Sequence, residues 1–113
     1  MHLARSKSSV LNAIEGSYWA MIDSAQAALM TAGKMPPSPE HIPEMLKEAF
    51  VDQGMLKMDY VRAVGELFAL HKAISHGNLT HIKGQDIDRW QQTSENFMKE
   101  MIRIIDVMLE THK

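Results

Sequence analysis

Residues 85–110, QDIDRWQQTSENFMKEMIRIIDVMLE, carry the pattern that decides the fold. Trp90, Phe97, Met101, Ile104 and Met108 recur at helical steps and form one apolar stripe. Met98, Ile102, Ile105 and Leu109 form a second stripe beside it. Two adjacent stripes make an apolar face wider than one neighbouring helix covers. This segment is therefore expected to be central in a helical bundle and also part of a dimer interface. Between the stripes and solvent, Glu95, Lys99, Glu100 and Arg103 read as a hydrated face with spaced ion pairs.

Working outward, the rest of the chain supplies partners for that helix. A first helix is expected over 3–32, with Ile14, Tyr18, Met21, Ala25 and Ala28 on one stripe and Gly33 as its stop. Its small residues, Ala13, Ala20, Ala25, Ala27 and Ala28, favour helix and would let another helix approach closely. Pro36, Pro37 and Pro39 make 34–39 a rigid loop. Ser38 as N-cap with Pro39 at the first helical position is attractive, but Pro43 follows four residues later. A second helix starting nearer Ile42 removes the clash, burying Ile42, Met45, Leu46, Ala49 and Phe50 and ending at Gly54. A third helix is expected over 57–76, with Tyr60, Val64, Leu67, Phe68 and Ile74 inside and Gly77 after its end. Residues 78–84 form a loop. The expected fold is all-α: one domain, residues 1–113, folded as an antiparallel up-and-down bundle of four main helices.

Composition narrows the function classes. The 113 residues are 45% hydrophobic and 23% charged, which disfavours disorder. No apolar run approaches a bilayer span and the N-terminus lacks a signal-peptide core, so a cytoplasmic location without membrane contact is expected. There is no cysteine, hence no disulfide and no thiolate metal site. A net charge of −2 offers no basic field for duplex nucleic acid. The ten methionines fit core filling better than a sticky interface. The Asn78-Leu79-Thr80 sequon is read as chance.

Phosphate loops, nucleophile elbows and dinucleotide fingerprints are absent. Six histidines invite a metal site, but the spacing argues against one. His71 and His76 are five residues apart, about 140° around a helix. No metal and no cofactor is expected. His71, Lys72, Ser75 and His76 do cluster at a helix end, with Asn78 just beyond. Imidazoles that move protons beside a lysine that holds phosphate would suit RNA cleavage or nucleotide capture. The plainer reading is a solvated helix end capped by His76. On the first helix, Tyr18 and Trp19 must face different ways, one into the core and one into a groove or interface. Asp23 either pairs with His71, Lys72 or His76, or faces outward, which is the plainer reading.

Two stretches resemble the HEPN family of small helical nucleotide-binding proteins. Ser17–Met30 (SYWAMIDSAQAALM), with Gly33 and His41 beyond it, resembles the family's alanine-rich helix. Leu67–Gly77 (LFALHKAISHG) resembles the segment where active members place an arginine and, four to six residues later, a histidine. The resemblance covers roughly residues 10–110 and begins at the alanine-rich helix, as in a minimal or C-terminal part of a longer member. It implies a dimer, binding of a nucleotide or RNA, and a small nucleotidyltransferase partner in a toxin–antitoxin pair. His76 matches the family histidine. His71 stands in place of the arginine, Lys72 is one position out of register, and Asp23 replaces a histidine of the first motif. Imidazole lacks the permanent charge and bidentate fork of guanidinium.

The expected function is thus a dimerising HEPN-like module, weakly active or non-catalytic. It would bind a nucleotide, RNA or a nucleotidyltransferase through Lys72, Ser75, Asn78, Tyr18 and Asp23. One alternative is a metal-independent ribonuclease using His76 with His71 or Lys72. Another is a purely structural interaction module.

Overall fold

A computed structural model describes residues 7–35, 38–77 and 84–111. Those residues form an all-helical bundle with four α-helices: α1 (Lys7–Thr31), α2 (Ile42–Leu46), α3 (Met58–Ser75) and α4 (Gly84–Thr111). None of the helices among the described residues is long and apolar enough to cross a membrane. The Asn78 sequon and the Pro36-Pro37 pair lie outside the described residues.

The pairing of α1 with α4 is the most extensive in the molecule. On α4, Ile87, Trp90, Ser94, Phe97, Met101 and Ile104 alternate at steps of three and four, and all are buried. Ser94 is the one polar member, and its hydroxyl donates to the Gln91 carbonyl at 3.0 Å. The facing helix buries Ile14, Tyr18, Met21, Ala25 and Ala28 as its stripe predicts, and Ser17, Ile22 and Leu29 as well. Ala25 and Ala28 are fully buried, and their lack of bulk lets neighbouring elements approach that turn of α1 closely.

Glycine ends α1 by backbone geometry. Gly33 has φ +82°, its N–H donates to the Met30 carbonyl, and the Lys34 N–H donates back to Leu29, both at 2.9 Å. This is a Schellman closure, which needs the left-handed residue that glycine supplies. Gly54 repeats it after the second segment, with the Met55 N–H on the Phe50 carbonyl at 2.8 Å.

The second segment departs from a single helix. Pro39–His41 forms a 3₁₀ turn, α2 follows from Ile42, and Lys47–Val51 widens into a π turn. Ser38 precedes Pro39 as expected, but its side chain caps nothing. The tighter first turn accommodates both Pro39 and Pro43, and the α-helix proper begins at Ile42. Ile42, Leu46 and Phe50 enter the core. Arg103 of α4 fastens the end of this segment. Its guanidinium donates to the Met55 carbonyl at 2.7 Å and to Glu100 at 2.9 Å.

Candidate functional site

The C-terminal turns of α3 rest against the N-terminal half of α1, and the polar residues of both meet there. Glu15, Tyr18 and Trp19 occupy about one turn of α1, so the carboxylate and the two rings leave the helix close together. From α3, Phe68 and His71 are three residues apart and share a side.

His71 is the centre of the arrangement. Its ring stacks on Tyr18 with centroids 3.8 Å apart and planes within 4°. Its Nε2 lies 2.7 Å from a Glu15 carboxylate oxygen. The other Glu15 oxygen accepts the Trp19 indole N–H at 2.7 Å. Phe68 lies tilted against Tyr18 at 6.5 Å, and Trp19 stands edge-on to Tyr18 at 5.0 Å and to His71 at 6.3 Å. One carboxylate thus fixes two rings, and one buried phenol backs both of them.

Burial grades outward through this cluster. Tyr18 is 4% exposed, the His71 side chain 18%, and Trp19 47%. Burial, followed by the charges of Glu15 and Glu40, pushes the Tyr18 phenol above its ordinary value. It therefore stays neutral at physiological pH. The expectation that Tyr18 and Trp19 face different ways holds: Tyr18 enters the core and Trp19 reaches solvent.

Lys72 and His76 are exposed, and His76 is the C-cap of α3, donating its backbone N–H to the Lys72 and Ala73 carbonyls at 3.2 Å. Gly77 follows with φ +84°. Ser75 turns its hydroxyl back onto the His71 carbonyl at 3.0 Å. Asn78 lies outside the described residues. Asp23 is exposed on α1, so the outward reading of that carboxylate is the right one. The carboxylate that meets His71 is instead Glu15, two turns earlier, which the sequence reading passed over. Among the described residues no three metal-ligating side chains gather.

Comparison with protein-family models, with curated proteins and with solved structures gives no match to this chain. Nε2 of His71 is committed to Glu15, which leaves Nδ1 for any further duty. The carboxylate beside it offsets whatever positive charge the imidazole carries. That environment is poor for gripping phosphate in the way an arginine would.

Proposed function

We propose that the chain is a HEPN-like, antiparallel up-and-down helical module that binds a nucleotide or a short single strand of RNA without cleaving it. The observation that carries this reading is the Trp19 ring. It is half exposed, yet held by its hydrogen bond to Glu15 and by its edge-on contacts with Tyr18 and His71. A fixed aromatic face at the surface offers a base a stacking platform, worth about 1–3 kcal/mol per base. Lys72, exposed and next to His71, provides a cation for an accompanying phosphate.

The same geometry supports a reading without cleavage. His71 is engaged by Glu15, and His76 lies five residues further on, about 140° around the helix axis. The two imidazoles do not present a common face to one substrate within a single chain. Cleavage has one observation in its favour, since a carboxylate that orients an imidazole is also the arrangement of a general base.

Two assays test the proposal. In a thermal-shift panel of ribonucleotides and short oligoribonucleotides, at least one ligand at 100 times its dissociation constant should add roughly 2.7 kcal/mol of stability. Trp19→Ala should abolish the shift. An unchanged melting temperature throughout the panel contradicts binding. Incubation with total RNA in EDTA should leave the RNA intact. Cleavage that is lost in His76→Ala would establish the ribonuclease reading instead.

A further inference from the structure

Among the described residues, the second stripe of α4 has no partner to match that of the first. Met98 is 37% exposed, and Ile102 and Leu109 are each 55% exposed. Ile105 between them is partly buried and joins the stripe to the core. Successive steps of four, three and four residues keep all four on one line, the seam of a two-helix coiled coil. We propose that this stripe docks a second copy of the chain, with the two α4 helices antiparallel about a two-fold axis passing between Ile102 and Ile105.

The charges flanking the stripe favour self-pairing in that direction. Lys99 and Asp106 occupy equivalent positions one heptad apart, on the solvent side of the seam. An antiparallel partner sets Ile102 against Ile105 and Met98 against Leu109. It also brings Lys99 of each copy towards Asp106 of the other. The surface is thus complementary to itself, as an isologous contact requires. Lys99 is free to turn, because its contact with Glu95 is a loose 3.9 Å between two largely exposed side chains. Arg103 takes no part, being bound to Glu100 and to the Met55 carbonyl. The first stripe lies about 90° around the helix from the second. The two bundles would therefore sit side by side beneath the paired helices.

Sedimentation of the full chain over the micromolar range provides the test. The wild type should sediment as two chains. Ile102→Glu should raise the dissociation constant by at least about 100-fold, since each dimer buries the change twice, while far-ultraviolet circular dichroism stays that of a folded helical protein. Lys99→Asp and Asp106→Lys should each weaken the dimer by about tenfold at low salt, and the double exchange should restore it. A single-chain mass at every concentration overturns the proposal. So does a dimer indifferent to Ile102→Glu, or single exchanges that the double exchange does not repair. These readouts involve no ligand, so they stand or fall apart from nucleotide binding.

Discussion

The first helix makes two contacts of opposite character. In the core it is sealed: Ala25, Ala28 and Leu29 are fully buried, as are Phe97, Met101 and Ile104 of α4, the helix with which α1 pairs most extensively. Against the end of α3 it is polar and graded, from buried Tyr18 through His71 to exposed Trp19. The sealed contact holds the fold together through apolar area and close packing. The graded contact holds functional groups in fixed orientation at the edge of that core. On the proposed function, stability and recognition fall to different stretches of one helix.

Breaking the sealed contact should have the largest effect. Phe97→Ala leaves a cavity in the buried core beside Tyr60 and should cost about 3–5 kcal/mol, read from the urea midpoint. Ala28→Leu forces bulk where none fits and should cost about 1–3 kcal/mol. The graded contact should tolerate more. His71→Ala removes the Tyr18 stack and the Glu15 bond, and should cost about 1–2 kcal/mol, because Glu15 is nearly half exposed and its share is screened. Glu15→Gln keeps a polar partner for both rings and should cost less than about 1 kcal/mol. If His71→Ala proved as damaging as Phe97→Ala, the division between the two contacts would fail.

The smallest effect concerns pH. The raised Tyr18 phenol keeps its proton in the folded chain at alkaline pH where the unfolded chain has lost it. Stability should therefore fall as pH rises above the ordinary tyrosine value of about 10, up to the folded value. Tyr18→Phe should remove that part of the alkaline decline, measured as urea midpoints across the range.

Much of this arrangement was legible in the residues. Helix periodicity placed the buried stripes of α1 and α4, and Gly33 and Gly54 marked real helix ends, because these signals are local. The Ser38–Pro43 region was only half legible, since two prolines four apart permit either a late start or a tight turn, and the fold uses both in succession. The site was the least legible part. His71, Tyr18 and Trp19 drew attention individually, but their organiser Glu15 did not, because its partner is 56 residues away in sequence. One signal was present: Glu15 lies four residues before Trp19, the spacing at which helical side chains meet. Asp23 attracted the pairing expectation because it interrupts an apolar run, yet it takes a position on the outer side of α1.

The most direct test of the central claim follows the two indole N–H signals in a proton–nitrogen correlation spectrum of the full chain. Trp19 and Trp90 should give one signal each, assigned by replacing Trp19 with Phe. Titration with the nucleotide or oligoribonucleotide that stabilises the protein should move the Trp19 signal and leave that of buried Trp90 in place. A ligand that leaves the Trp19 signal unmoved would contradict the placement of the binding site at the Glu15–Tyr18–Trp19–His71 cluster.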